Sequence, residues 1–150
     1  MPKREQKVIE TLSVEQVERL LRAAQSARDK AIIAVLLDTG IRANELCTLT
    51  LDHVHFTPED AWLLVHGKRD KWREVGLGKR ARQALHKYIY RERPTQAWHA
   101  QPQVFIGRRG QLTPNGLDQI LHALRDAAGQ EHFQGVQVRP HVFRHSFAVN

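Results

Sequence analysis

The spacing of apolar residues changes twice along the chain, from helical to strand-like near His53 and back to helical at Gly78, which restricts the fold to helices arranged around a small sheet. Val14, Val17, Leu20, Leu21 and Ala24 recur every three or four residues, and Ser13 followed by Gln16 has the form of a capping box. A first amphipathic helix is therefore expected over about residues 13–26. Residues 28–38 are more uniformly apolar, as in a helix buried on several sides; Thr39 and Gly40 end it, and a short third helix should carry residues 43–48. Residues 53–56, 62–65 and 73–75 are rich in β-formers, and the polar stretch before Arg73 reads as the tip of a basic antiparallel hairpin. Helical spacing resumes through Ala81, Leu85, Tyr88 and Ile89 over residues 78–91, with Pro94 as the stop. The stretch ERPTQAWHAQPQ has no period and reads as a surface excursion. Thr113 ahead of Pro114 opens a helix through Leu117, Ile120, Leu121 and Leu124 to Ala128, which Gly129 stops, and residues 141–150 begin one more.

A chain of 150 residues with 41% hydrophobic content supports one domain with a real core. Lys and Arg number 23 against 16 Asp and Glu, a formal charge of +7, so a polyanion is the first partner to expect. Cys47 has no second cysteine to pair with, which excludes an internal disulfide and a Cys-pair zinc site and fits a reducing cytoplasm. The start, MPKREQKVIE, lacks the apolar core of a secretory signal, and the longest apolar run, residues 31–37, is too short to cross a bilayer, so no membrane partner is expected. Clustered carboxylates are lacking too; His141 and His145 have metal-compatible spacing, but without a helical glutamate between them a metal-dependent hydrolase is disfavoured.

Two strings concentrate groups suited to a phosphodiester: TGIRANEL at residues 39–46 and RPHVFRHSFA at residues 139–148. The first places Arg42 just after a helix-ending turn, and in the second His141 and Arg144 project from one face if the segment is helical. A guanidinium fork can hold two non-bridging oxygens and neutralise the charge that develops on them in a transition state. Arg42 taken alone would read as a surface ion pair with Glu45, three residues on.

The combination reads differently. With the hairpin GKRDKWREV between them, and in this order, the two strings resemble the tyrosine recombinase, or phage integrase, family from about Leu12 to the last residue. The resemblance implies a mainly α fold with a small antiparallel β-sheet, in which residues 1–11 are a polar lead-in and residues 12–150 an incomplete catalytic domain, truncated at its C-terminus. It makes Arg42 and Arg144 the two family arginines, His141 the histidine before the second, and Lys68 the hairpin lysine, with Lys71 on the same turn as the alternative. Arg42, Lys68 and Arg144 would contact DNA phosphate, Glu45 would fix the Arg42 turn, and His145 would pack beneath its motif. The family chemistry is attack by a tyrosine hydroxyl on a phosphodiester of double-stranded DNA, giving a 3′-phosphotyrosine bond and a 5′-hydroxyl. It needs no metal, nucleotide cofactor or small-molecule substrate. The only tyrosines, Tyr88 and Tyr90, precede the second arginine, where the family keeps no nucleophile. The expectation is a chain that grips DNA without cleaving it alone and that self-associates through apolar surface left uncovered. A non-catalytic DNA-binding or regulatory remnant is the alternative.

Overall fold

Ala31, Ile32, Ile33, Ala34, Val35 and Leu36 form one continuous buried run, and the rest of the molecule is assembled around the helix they make. The architecture is that of a computed structural model, which describes residues 10–143. This central helix, α2 (Ala27–Thr39), starts at Ser26, whose hydroxyl accepts the Asp29 amide at 3.0 Å. Its next free amides, those of Ala27 and Arg28, donate to the Glu92 carboxylate at 2.9 and 2.7 Å, so a distant acid completes the cap and favours the positive end of the helix.

Helix α1 (Val14–Ala23) opens with the expected capping box: Gln16 N–H donates to the Ser13 hydroxyl at 3.1 Å and Ser13 N–H to the Gln16 side chain at 2.8 Å. It ends three residues before the expected 26, because Ser26 must be extended to cap α2 and Ala24 already is, at φ −70° and ψ 118°. After α2 come the short α3 (Ala43–Thr48) and a three-stranded antiparallel sheet of β1 (Val54–Phe56), β2 (Ala61–His66) and β3 (Trp72–Gly76), with β2 in the middle. Val54 faces Leu63, Val65 faces Arg73 and His66 faces Trp72. Ala61, Leu63 and Val65 of β2 alternate inward, which fixes the register because a one-residue slip would turn them all to solvent.

Helix α4 (Lys79–Lys87) packs along α2 and then widens into a π-turn, Tyr88–Glu92, and a 3-10 turn, Arg93–Thr95, where a plain helix over residues 78–91 was expected. The widening aims Tyr88 and Arg93 at the strand-like segment beyond. Tyr88 donates to Val104 O at 3.0 Å and accepts from Ile106 N–H at 3.1 Å. Arg93, 4% exposed, donates to the carbonyls of Val104, His99, Gln101 and Gln103 at 2.9, 2.8, 2.6 and 2.7 Å. The aperiodic excursion therefore runs over the surface with its backbone gathered around one buried guanidinium. A ribbon of β4 (Ile106–Gly107) and β5 (Gly110–Gln111) follows; two residues per strand are too few for an alternating pattern to betray it. Helix α5 (Pro114–Ala128), capped by Thr113 and ended at Gly129, packs against α1 and α3, and residues 140–143 are helical again. Among the described residues no helix is long and apolar enough to cross a membrane.

Candidate functional site

The Arg42 turn is built by the end of α2. Gly40 takes a left-handed conformation, φ 64° and ψ 22°, its amide donates back to Leu36 O at 3.0 Å, and Ile41 is then driven fully into the core. With Ile41 anchored inward, Arg42 becomes the N-cap of α3 in an extended conformation and its side chain is 43% exposed. Its amide donates to Glu45 Oε1 at 2.7 Å, which satisfies a backbone donor at the start of α3 and places a carboxylate at the positive end of that helix.

Glu45 is only 4% exposed. Its neutralising partner is not chiefly Arg42, whose Nη1 lies 3.9 Å from Oε2, but Arg73 of β3, which donates from Nη1 to Oε2 at 2.6 Å and from Nη2 to Oε1 at 3.0 Å. Such a two-pronged ionic contact outweighs a 3.9 Å approach that makes no hydrogen bond. Burial would raise the Glu45 carboxyl, but the Arg73 fork, the Arg42 amide and the two guanidinium charges outweigh it and hold the group below its ordinary value of 4.5. Arg73 is correspondingly pushed up, mainly by its hydrogen bonds to Glu45. Sequence reasoning missed Arg73. The available signal was that a glutamate at the third position of a short helix, adjacent to an arginine turn, needs a cation if buried, and the neighbouring hairpin is rich in them.

Gly67 ends β2 directly above this pair, and a Cβ there would sit 2.9 Å from Arg73 Nη1 and 3.1 Å from Glu45 Oε2. Lys68 follows on the hairpin tip, where Arg69 and Asp70 both hold φ 59°. Lys68 and Lys71 are both exposed; Gly67 N–H donates to Lys71 O at 2.8 Å and Lys71 N–H to Lys68 O at 3.3 Å. On the outer face Trp72, 48% exposed, stacks on His66 at 4.5 Å between ring centres and meets His53 edge-on at 4.8 Å. His66 Nε2 also lies 2.5 Å from the Asp70 carboxylate.

The turn at residues 140–143 buries Val142 and Phe143 and leaves His141 exposed. Arg144 and His145 lie outside the described residues. Of the sequence-derived set, the structure thus brings Arg42 and Glu45 together with the root of the hairpin that carries Lys68. Other nucleophile candidates are tied down: burial pushes the Cys47 thiol up to about 12, and the Tyr88 hydroxyl is held in two hydrogen bonds and raised chiefly by burial. Tyr90 is 60% exposed, with its ring 4.6 Å from that of His86 and 6.1 Å from that of Phe56.

Residues 10–150 match the model of the phage integrase family. The chain is 35% identical over 159 aligned positions to tyrosine recombinase XerC of Anoxybacillus flavithermus, covering 100% of this chain and 51% of the relative. It is 33% identical to tyrosine recombinase XerD of Listeria monocytogenes, covering 99% and 51%. It therefore spans about half the length of these relatives. Among solved structures it is similar to XerA recombinase, with a TM-score of 0.79 and 28% identity over 96% of this chain and 51% of the other. It is also similar to XerH site-specific recombinase bound to its difH substrate in a pre-cleavage complex, with a TM-score of 0.75 and 25% identity over 95% and 43%.

Proposed function

This chain belongs to the phage integrase family of tyrosine recombinases, and from that premise we propose that residues 12–150 form part of the catalytic domain of a site-specific DNA recombinase. In this reading Arg42, Lys68, His141 and Arg144 surround one phosphodiester of double-stranded DNA. The observation that carries it is the state of Arg42: half exposed beside a carboxylate that Arg73 already satisfies, its guanidinium makes no hydrogen bond among the described residues. A fork held in that way is prepared for an incoming anion, and a phosphate offers the matching pair of oxygens. The similar XerH recombinase bound to its difH substrate, and the similarly folded Tn1549 transposon integrase in complex with circular intermediate DNA, support the choice of DNA as that anion.

Arg42 and Arg144 hold the non-bridging oxygens and stabilise the charge that grows on them as phosphorus becomes five-coordinate. Lys68 gives its proton to the departing 5′-oxygen, so the P–O5′ bond breaks while the bond from a tyrosine oxygen to phosphorus forms. His141 hydrogen-bonds the phosphate or takes the proton from the attacking hydroxyl. Glu45 keeps the Arg42 turn in place, and His145 supports the second motif from beneath. Neither Tyr88, with its hydroxyl doubly hydrogen-bonded, nor Tyr90, against His86, is assigned the attack. The nucleophile comes from outside these 150 residues.

The test is duplex binding by the 150-residue chain followed by denaturing electrophoresis. Binding without a covalent adduct is expected, with Arg42→Ala, Lys68→Ala and Arg144→Ala each lowering the salt dependence of the binding constant by about one unit of log–log slope. Lys71→Ala in place of Lys68→Ala as the sensitive variant would reassign the hairpin lysine. An adduct abolished by Tyr90→Phe would defeat the assignment of the nucleophile. Self-association through uncovered apolar surface is part of the same proposal, and a monomer at all concentrations in sedimentation would remove it.

A further inference from the structure

A 4% exposed carboxylate must be matched by a cation and by hydrogen bonds, and Glu45 receives both from the far side of a β-hairpin. Arg73 pairs with Val65 in the β2–β3 register, so its side chain lies on the inward face of the sheet, where it reaches α3. There its fork spans both oxygens of Glu45, one of which also accepts the Arg42 amide. The hairpin passes close to the same ion pair at Gly67, where an added Cβ would lie 2.9 Å from Arg73 Nη1 and 3.1 Å from Glu45 Oε2 and would crowd it. Lys68 is the next residue. Hydrogen bonds therefore run from Arg42 through Glu45 to Arg73, and the close passage of Gly67 beside that pair leads on to Lys68, joining two elements that stand well apart in the sequence.

We propose that Arg73 is a positioning residue: by holding Glu45 it clamps the root of the β2–β3 hairpin to the turn that carries Arg42, so that Lys68 and Arg42 meet one phosphate as a unit. The proposal rests on the reading of Arg42 and Lys68 as phosphate-binding groups. In this arrangement Arg73 acts through Glu45, to which each of its terminal nitrogens donates one hydrogen bond, and not by touching DNA. It also leaves Arg42 available, because a Glu45 deprived of Arg73 would draw the Arg42 guanidinium, now 3.9 Å away, onto itself.

The test uses the 150-residue chain, with amide hydrogen exchange read without DNA and duplex binding read with it. Arg73→Gln is expected to raise exchange by about tenfold or more at two amides distant in sequence, Arg42 N–H and Gly67 N–H, with little change in α5. Arg73→Lys should restore part of the protection, since an ammonium keeps the charge and one donor but not the fork. Gly67→Ala, which leaves Arg73 present but thrusts a methyl at it, should reproduce the two-amide pattern and provides a second variant should Arg73→Gln fail to fold. In binding to a mixed-sequence duplex, Arg42→Ala and Lys68→Ala should be non-additive in the wild-type background and become additive in Arg73→Gln. The salt slope of Arg73→Gln should fall by no more than that of Arg42→Ala, because Glu45 then claims Arg42, and the double variant should fall no further than Arg42→Ala alone.

A slope lowered by about one more in Arg73→Gln combined with Arg42→Ala than in Arg42→Ala alone would make Arg73 a direct phosphate contact and overturn the proposal. Unchanged exchange at either amide would do the same, as would Arg42–Lys68 coupling that survives in Arg73→Gln. A chain that bound no duplex at all would remove the phosphate-binding reading instead, and the clamp would then stand or fall on the exchange data alone.

Discussion

Arg93 brings a full charge into a site 4% exposed, and its hydrogen bonds all go to backbone carbonyls. Burial lowers its proton affinity, yet four acceptors converge on its planar fork, which a lysine could not reproduce. Arg93→Met should therefore cost about 3 kcal/mol in urea unfolding, because it leaves the part-buried carbonyls of His99, Gln101 and Gln103 without their donors while Val104 O keeps the Tyr88 hydroxyl. Arg93→Lys should recover only part of that loss. Glu45 makes the second prediction at this scale. Its folded-state pKa lies below the ordinary 4.5, so the Glu45 contacts contribute fully above that value and are lost as pH falls from there through the lower folded-state value. Urea midpoints measured downward from neutral pH should show this loss in wild type and a flatter profile in Glu45→Gln. Because Arg73 is 43% exposed and partly screened, Glu45→Gln should cost only about 1–2 kcal/mol at neutral pH.

The elements that carry the site are joined by strained or special turns, and each turn is a place to test. The C-terminal cap of α2 needs φ 64° at Gly40, so Gly40→Ala should lower stability by about 1 kcal/mol. It should also displace Arg42, two residues on, and reduce DNA affinity by more than the stability loss alone would. The tip of the β2–β3 hairpin holds Arg69 at φ 59°, a conformation a long side chain rarely adopts. Arg69→Gly should relieve this and stabilise the hairpin by about 0.5–1 kcal/mol, offset in part by the greater freedom of glycine in the unfolded chain. Thermal unfolding of the two variants separates them, since the expected shifts have opposite signs. The helices themselves were legible. The capping box at Ser13, Thr113 before Pro114, and Gly129 mark true ends, because capping is a local hydrogen-bonding requirement that a few adjacent residues can state. The π-turn after α4 and the β4–β5 ribbon were not legible, since both answer to groups far away in sequence: Tyr88 and Arg93 reaching Val104, and two strands of two residues each.

At the scale of the molecule, a formal charge of +7 makes phosphate neutralisation the largest contribution to any DNA affinity. Binding should fall linearly with the logarithm of salt concentration and discriminate little between duplex sequences, as measured by anisotropy titrations over a salt series. An affinity insensitive to salt would contradict this. The similarity to XerA recombinase covers 96% of this chain, so the fold is shared rather than only the motifs.

The amino-acid sequence by itself determined the helical frame, the three-stranded sheet and the family, because periodicity, caps and the strings TGIRANEL and HVFRHSF are written in neighbouring residues. It also singled out Arg42 and Glu45 as a turn and its local acid, an interaction three residues long. Only the tertiary structure decided which cation answers Glu45. Arg73 lies 28 positions away, and its choice over Arg42 depends on the β2–β3 register, on Gly67 having no side chain, and on α3 lying against the sheet. A buried charge selects its partner by distance and geometry in three dimensions, and sequence spacing carries no record of either.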